Sequence, residues 1–271
     1  MNIQQVAKPK VRNDLRRFLG REYFILKRHI RCLRDNKTYA RVDKKTSLRH
    51  SLIKHKSILL RPLKNVDMYL QRNKVTNLKL AIKSINKVLI KPGETLSIWR
   101  LIGRPTKIRG YLEGLILDNG KISKGTGGGL CQLGNLLYWM VLHTPLTITE
   151  RWRHTYDVFP DINRTIPFGC GASLSYNYID LQFHNDTDNL FQISLWIDDE
   201  FLEGEITCNN DLKLQYEIFE TDHSFQFQSW GGYTRNNKIW RRITNFTDNS
   251  VTEELVTANN ALMMYNPLLD K

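Results

Sequence analysis

Hydrophobic and polar positions follow a helical period near the start of the chain. At about 100° per residue, residues 14–34 place apolar side chains on one arc and basic side chains on the other. The apolar arc comprises Leu15, Phe18, Leu19, Tyr23, Ile25, Leu26, Ile30 and Leu33, and the basic arc comprises Arg16, Arg17, Arg21, Lys27, Arg28, Arg31 and Arg34. Such a helix either packs its apolar arc on the rest of the domain or lies on an anionic membrane surface.

Shorter patterns predict the elements of the middle of the chain. Residues 77–87 again carry a helical period. A helix of about 12 residues is predicted from Cys131. Apolar runs on either side of turn residues predict two hairpins, which are 88–90 with 95–99 and 111–117 with 121–123.

From residue 147 onward the composition is mostly typical of strands, and turn-rich pieces such as 185–188 separate them. The predicted strands are 147–158, 173–184, 190–197, 201–207, 212–220 and 238–246. The predicted fold class is therefore α+β, a helical basic N-terminal region plus a mainly antiparallel β domain with a central helix starting at Cys131. The predicted division is residues 1–65 for the first part and 66–271 for the second.

Charge is distributed unevenly along the chain. The 271 residues carry a formal net charge of +13, yet residues 1–110 hold 29 Lys and Arg against 6 Asp and Glu, and residues 111–271 hold 11 against 21. The first part is therefore expected to meet an anionic partner. The candidate is an anionic membrane surface, bound through the N-terminal basic helix. Nucleic acid is not expected, because the basic region contains no recognisable nucleic-acid-binding module.

Apolar stretches and cysteines limit the location and chemistry. No stretch approaches the roughly 20 apolar residues of a membrane-spanning helix, and the first residues lack the apolar segment of a signal peptide. A cytoplasmic protein is predicted, with the basic helix able to hold it at the inner face of the membrane. The cysteines are expected to be free thiols without a metal, because no CxxC pair occurs among Cys32, Cys131, Cys170 and Cys208.

Residues 125–135 read GTGGGLCQLGN, which places three glycines just before Cys131. The pattern fits neither a phosphate-binding loop nor a dinucleotide fingerprint, so no cofactor is expected. A cysteine at a helix start meets unpaired N–H groups that lower its pKa and can hold an oxyanion. Gly127, Gly128 and Gly129 would give a substrate room, and Gln132 would add a hydrogen-bond donor. The alternative is that Cys131 is a small buried hydrophobic residue.

A nucleophilic thiol needs a base, and His154 is the candidate because it follows the helix on the predicted strand 147–158. The alternative is a partly buried histidine that is hydrogen-bonded in the sheet. Asp180, or failing it Asp157, is the candidate for orienting the imidazole. Arg151 is the candidate for binding a substrate carboxylate, with Arg153 beside it.

Several stretches resemble the VanW family. They are KVTNLKLAI, INKVLIKPGETLSIWRLIG, GGGLCQLGNLLYWMVLHTPL, ERWRHTYDVFPDINR, PFGCGASLSYNYIDLQFHN, WGGYTRNN and VTANNALMMY, and together they cover most of residues 48–266. The family is named for a gene of some vancomycin-resistance clusters, and its members are linked to the bacterial cell wall. Some exported proteins with VanW domains act as L,D-transpeptidases that crosslink peptidoglycan through a cysteine.

The resemblance implies a nucleophile at Cys131, a histidine at His154 and an aspartate at Asp180. The chain departs from the family at Gly134, where Ser or Thr is usual, and it shows no export signal although crosslinking occurs outside the membrane. The expected function is that of a cysteine-dependent acyl transferase or hydrolase on peptidoglycan stem peptides or precursors. The alternative is a non-catalytic accessory or binding protein in glycopeptide resistance.

Overall fold

Four α-helices lie in the described part of the chain, and most of the rest of it consists of strands and loops. A computed structural model describes residues 13–61, 67–118, 120–159 and 165–267. The helices in these ranges are α1 (Asp14–Arg34), α2 (Met68–Ile85), α3 (Ile98–Ile102) and α4 (Cys131–Val141), with a short 3₁₀ turn at Lys107–Arg109. Asn13 caps α1, because its side-chain oxygen accepts a hydrogen bond from the Arg16 N–H at 2.9 Å. None of the described helices is long and apolar enough to cross a membrane.

The strands form several small sheets rather than one large one. They are β1 (Thr38–Tyr39), β2 (Arg41–Val42), β3 (His50–Ile58), β4 (Val88–Ile90), β5 (Glu94–Ser97), β6 (Glu113–Asp118), β7 (Lys121–Thr126), β8 (Thr147–Glu150), β9 (Tyr156–Asp157), β10 (Gln182–His184), β11 (Phe191–Ile197), β12 (Phe201–Cys208), β13 (Leu214–Phe227), β14 (Tyr233–Asn245) and β15 (Ser250–Met263). The sheet orders are β1-β5-β10-β8, β2-β4-β11-β12-β3, β13-β14-β15-β9 and the hairpin β6-β7.

Antiparallel pairing dominates these sheets. The pairs β1–β5 and β9–β15 are parallel, and the other described pairs are antiparallel. The predicted α+β class with a mainly antiparallel sheet and a central helix from Cys131 is therefore confirmed.

The core lies where α2 and α4 pack against the five-stranded sheet. Helix α4 is apolar on most of its circumference, and Leu133, Leu137 and Val141 are fully buried. Helix α2 contributes Leu78 and Ile85, which are also fully buried. Because a helix that is apolar on nearly every side is stable only when surrounded, α4 fixes the position of Cys131 at its first turn.

Some predicted elements are wrong. Strands β4 and β5 do not form a hairpin together, because β4 pairs with β11 and β5 pairs with β10. Residues 173–181 are mostly loop, and β15 was not predicted. Residues 38–58 were grouped with the helical region but contain β1, β2 and β3. Strand β3 is an edge strand with alternating charged side chains, which hides its apolar signal.

The apolar arc of α1 does not pack on the domain. Among its residues only Ile25 is buried, and the rest are exposed. The alternative in which the arc joins the core is therefore wrong. The helix is held by polar contacts of its other side, as described below.

Candidate functional site

The glycine loop before Cys131 has a backbone that few other residues adopt. Gly127 has φ of 76° and Gly129 has φ of 92°, both in the region that favours glycine. Gly128 is in close contact with Gly114, so that a Cβ there would come within 2.7 Å of the Gly114 Cα. The buried Asn77 fixes the loop, because its Nδ2 donates to the Gly128 carbonyl at 2.9 Å.

Protein atoms fill the space beside these glycines. A Cβ on Gly127 would lie 2.6 Å from the Pro105 Cβ, and one on Gly129 would lie 2.7 Å from the Lys74 Cδ. Burial, with a further effect of Arg61, lowers the pKa of Lys74 to about 8. The sequence predicts that a substrate approaches these glycines closely. In the structure, side chains of the protein itself make that close approach.

The thiol of Cys131 lies at the first turn of α4. Its Sγ is 3.9 Å from the Leu174 carbonyl oxygen. Although Cys131 is half-buried as a residue, burial raises the pKa of its thiol above the ordinary value, and this exceeds the lowering by backbone hydrogen bonds. The prediction of a lowered pKa from the helix start is therefore wrong, because desolvation outweighs the N–H groups.

Most N–H groups of that first turn are already used. The N–H groups of Gln132, Leu133 and Gly134 donate to Gly129 or Leu130 carbonyls at 3.0 to 3.2 Å. In the described part of the chain, the N–H groups of Leu130 and Cys131 donate to no backbone carbonyl. These two are the remaining candidates for holding an oxyanion.

His154 lies in residues 151–155, an irregular connection between β8 and β9. The predicted continuous strand 147–158 is therefore wrong at this point. The His154 Nδ1 is 2.9 Å from the Ser173 Oγ. Burial, followed by the positive charge of Arg151, lowers the pKa of His154 below its ordinary value, so the ring is neutral at neutral pH.

One short segment, residues 172–174, connects the thiol to the imidazole. The Ala172 N–H donates to the Asn135 Oδ1 at 2.8 Å, which ties the segment to α4. The Ser173 N–H donates to the Trp152 carbonyl at 2.7 Å, which ties it to the connection that carries His154. Cys131 and His154 thus contact adjacent residues, Leu174 and Ser173.

Comparison with known proteins identifies the family of the chain. Residues 73–207 match the family described as VanW like protein. The chain is 44% identical over 167 residues to the vancomycin B-type resistance protein VanW of Enterococcus faecalis (strain ATCC 700802 / V583), which covers 62% of this chain and 61% of that protein. This chain is a VanW-like protein.

A second relative of this VanW-like chain is the uncharacterized protein YoaR of Bacillus subtilis (strain 168). It is 33% identical over 109 residues, which are 40% of this chain and 34% of YoaR. The matches thus span about three fifths of the first relative and one third of the second. No solved structure matches the chain significantly.

In this VanW-like structure, the hydrogen-bond partners of Asp180 lie away from the imidazole that it was expected to orient. Its buried carboxylate accepts hydrogen bonds from Ser97 Oγ at 2.6 Å, Gln182 Nε2 at 3.0 Å, and the N–H groups of Trp99 and Leu181 at 3.2 and 2.9 Å. Burial raises the pKa of Asp180. None of these four hydrogen bonds joins Asp180 to the imidazole of His154.

Asp157 does not contact the imidazole either. It is buried, it accepts a hydrogen bond from the Tyr265 hydroxyl at 2.9 Å, and it lies 3.4 Å from the Arg235 Nη1. The residue that contacts His154 Nδ1 is Ser173. The expected orienting carboxylate is thus replaced by a hydroxyl.

The two arginines before His154 differ in their partners. Arg151 donates from Nε to the Gly171 carbonyl at 2.9 Å and from Nη2 to the carbonyls of Gly169 and Gly171. Its guanidinium also lies 4.7 Å from the centre of the Tyr138 ring. The Nη1 of Arg153, in contrast, is buried and has no hydrogen-bond partner among the described residues. Arg153 therefore has donor capacity left for a carboxylate, whereas the Nε and Nη2 of the predicted Arg151 are occupied.

Gln132 faces strand β3. Its Nε2 donates to the Ser57 Oγ at 2.9 Å and to the Ile58 carbonyl at 2.8 Å. Its Oε1 is buried, and within the described part of the chain it has no hydrogen-bond partner. The predicted donor is thus occupied, and the amide retains an acceptor.

Ser173 is the site residue that the sequence patterns missed. It was placed at the start of a predicted strand, 173–184, whereas the structure has a loop there. The stretch GCGAS, residues 169–173, contains two glycines and a serine, which are typical of a loop. That composition was the available signal for an irregular segment.

Proposed function

We propose that this VanW-like protein is a cysteine-dependent acyl transferase or hydrolase that acts on peptidoglycan stem peptides or their precursors. The observation that carries the proposal is that Cys131 and His154 contact adjacent residues, Leu174 and Ser173, of one segment. The resemblance of the motifs to a family linked to the cell wall supports the substrate class. The name of the Enterococcus faecalis relative, vancomycin B-type resistance protein VanW, is consistent with it.

The pKa directions favour a pair that is neutral at rest. Burial raises the pKa of the Cys131 thiol and lowers that of His154, so neither group is charged near pH 7. The Cys131 sulfur attacks a peptide carbonyl and forms a C–S bond, while the thiol proton passes to His154 Nε2. The N–H groups of Leu130 and Cys131 hold the oxyanion.

Two further steps complete the reaction. His154 returns the proton to the leaving amine as the C–N bond breaks, which leaves a thioester on Cys131. An amine or a water molecule then attacks the thioester carbonyl and gives its proton to His154. The C–S bond breaks, and the thiol regains the proton. Attack by an amine gives transfer, and attack by water gives hydrolysis.

The hydrogen bond to Ser173 is compatible with the tautomer that this mechanism needs. If the Nδ1–H of His154 donates to the Ser173 Oγ, then Nε2 carries the lone pair that accepts the thiol proton. Ser173 is therefore a positioning residue. Arg153 is proposed to bind the C-terminal carboxylate of a stem peptide through its unpartnered Nη1.

The test is to incubate the purified full chain with disaccharide-linked tetrapeptides and pentapeptides and to measure its intact mass. A thioester adduct on Cys131 is expected. Cys131→Ala abolishes it, and His154→Ala slows its formation about 10²-fold, as for the loss of a general base. Cys32→Ala, which removes another half-buried free thiol, is the matched control and leaves the adduct unchanged.

One observation favours a second function. The raised pKa of the Cys131 thiol is typical of a buried structural cysteine, which suits a non-catalytic accessory protein that binds the same peptides. Wild-type protein that binds the peptides in calorimetry, yet never acquires an adduct or releases a product, would support this second function and reject the first. Arg153→Gln weakens binding in both cases.

A further inference from the structure

Helix α1 turns its apolar side chains away from the protein. Leu33 is 87% exposed, Leu15 is 68% exposed and Leu26 is 60% exposed. At about 100° per residue, these three side chains and those of Leu19 and Ile30 lie within roughly 60° of one another. A helix that packs on a domain normally buries such a stripe, so its exposure requires an explanation.

The helix is fixed in this orientation by its opposite side. The guanidinium of Arg28 binds the Glu150 carboxylate with both Nη atoms, with Nη2 to Oε1 at 2.6 Å, and also donates to the Tyr178 carbonyl. Arg17 forms an ion pair with Asp118. Both arginines lie about 180° from the apolar stripe on the helix. The outward direction of the stripe is therefore set by specific ion pairs.

Two aromatic contacts strengthen this attachment. The Phe24 ring stacks on the Tyr178 ring with 6.3 Å between centroids, and the His29 ring lies 6.2 Å from the Tyr176 ring. Glu22 accepts a hydrogen bond from Arg104 Nη2 at 2.8 Å. Helix α1 is thus attached along its length.

Basic side chains border the stripe along one edge. They are Arg16, Lys27, Arg31 and Arg34, which are exposed and lie about 100° to 160° from Leu15 on the helix. Among the described residues, none of these four side chains has a hydrogen bond or ion pair. Apolar side chains beside free cationic ones are the pattern of helices that lie in the interface of an anionic bilayer.

We propose that the outward face of α1, defined by Leu15, Leu19, Leu26, Ile30 and Leu33 with Arg16, Lys27, Arg31 and Arg34, binds the surface of an anionic lipid bilayer. The leucines and the isoleucine enter the boundary between headgroups and acyl chains, and the cations bind lipid phosphates. Charge complementarity selects this partner, because a nucleic acid would not bury a stripe of leucines. The proposal does not depend on the chemistry of Cys131.

The same attachment brings the candidate site to the bilayer. Glu150, which binds Arg28 of α1, directly precedes the connection that carries His154. Because Arg28 lies on the side of α1 opposite the stripe, a membrane-bound α1 holds this region one helix diameter, roughly 10 Å, from the bilayer surface.

The test is flotation of the purified full chain with vesicles of phosphatidylcholine alone or with 30% phosphatidylglycerol (a composition of roughly one anionic lipid in three). We expect at least about tenfold tighter binding to the anionic vesicles, and about 0.5 M salt releases the protein. Two variants separate the contribution of the apolar stripe to binding from that of the cationic side chains. They are Leu15→Gln/Leu26→Gln/Leu33→Gln for the stripe and Arg16→Gln/Lys27→Gln/Arg34→Gln for the cations, and each is expected to lose about tenfold or more in affinity.

A matched control removes exposed apolar side chains elsewhere. Phe246→Gln/Val251→Gln/Leu255→Gln alters β15 and the turn before it, and it is expected to bind anionic vesicles like the wild type. Circular dichroism checks that every variant is folded. Equal binding to both vesicle types, no binding, or an equal loss in the control overturns the proposal. Light scattering gives the oligomeric state of each protein. A wild type that is a dimer and a stripe variant that is a monomer would also overturn the proposal, because a second copy of the chain would then cover the stripe.

Discussion

Ser173 Oγ lies 2.9 Å from His154 Nδ1, one residue before the Leu174 carbonyl that the Cys131 thiol contacts. We predict that Ser173→Ala slows adduct formation on Cys131 about tenfold, less than the roughly 10²-fold loss expected for His154→Ala. The reason is that without the hydroxyl the imidazole samples both tautomers. Nitrogen NMR of His154 measures the tautomer directly, and we expect Nδ1–H in the wild type.

Ser173→Thr is the control for this prediction, because it keeps the hydroxyl. It should retain most of the rate and the Nδ1–H tautomer. A Ser173→Ala protein that keeps both the rate and the tautomer would show that this hydrogen bond only supports the loop.

The pKa of Cys131 can be measured by alkylation. Because burial raises that pKa, the rate of iodoacetamide labelling at Cys131 is predicted to be low at pH 7 and to rise with a midpoint above 9, the ordinary value. Labelling at several pH values followed by peptide mass spectrometry gives the profile for each cysteine separately. A midpoint below 9 would instead restore the activated thiolate that its position at the helix start suggests.

Elements with a strong local period could be predicted from the sequence. Helix α1 has the predicted bounds, and α4 begins at Cys131 as expected. The central strands β11 and β12 were also predicted, because continuous apolar or alternating runs there end at turn residues. In each case a local pattern agrees with the final burial.

The rest depends on contacts between residues that are distant in the sequence. The hydrogen bond of His154 to Ser173 requires a loop that the strand-like composition of 173–184 conceals. Burial in the surrounding core raises the pKa of Cys131. The position of the thiol at the helix start, taken alone, predicts a lowered pKa. The resemblance to the family assigns Asp180 to the catalytic site. Its four hydrogen-bond donors are brought to it by the tertiary fold, which the sequence pattern does not show.

Acid is predicted to destabilise the protein through histidines that are buried in the neutral form. Burial lowers the pKa of His55, His143 and His154 from the ordinary value of 6.5. As the pH falls through 6.5, the unfolded chain binds protons that the folded chain does not, so stability is lost. The loss is at most about 1.4 kcal/mol per pH unit for each ring.

Urea unfolding gives the free energy of unfolding at each pH. A range of about pH 8 to about pH 5 brackets the titration of a free imidazole. His154→Gln should flatten the dependence, because it removes one of the three rings. An unfolding free energy that is constant across this range would contradict the prediction.

Asp180 is predicted to matter for stability. Its carboxylate satisfies two backbone N–H groups and two side-chain donors in the core. Asp180→Ala leaves buried donors without a partner and should lower the unfolding free energy by about 3 kcal/mol or more. Asp180→Asn retains one acceptor oxygen and should cost less. If Asp180→Asn stays folded yet abolishes the adduct on Cys131, the carboxylate has a catalytic role after all.

Gly128 is predicted to tolerate no side chain. A Cβ there would come within 2.7 Å of the Gly114 Cα, and backbone atoms cannot move aside as a flexible side chain can. Gly128→Ala should therefore lower the unfolding free energy by about 3 kcal/mol or shift the start of α4, as expected for overpacking. Gly20→Ala is the matched control, because no heavy atom lies within 4 Å of a Cβ there and it should stabilise α1 by up to about 1 kcal/mol. If Gly128→Ala unfolds at the wild-type urea concentration, the loop before Cys131 has more freedom than its contact with Gly114 indicates, and the glycines regain their role of admitting a substrate.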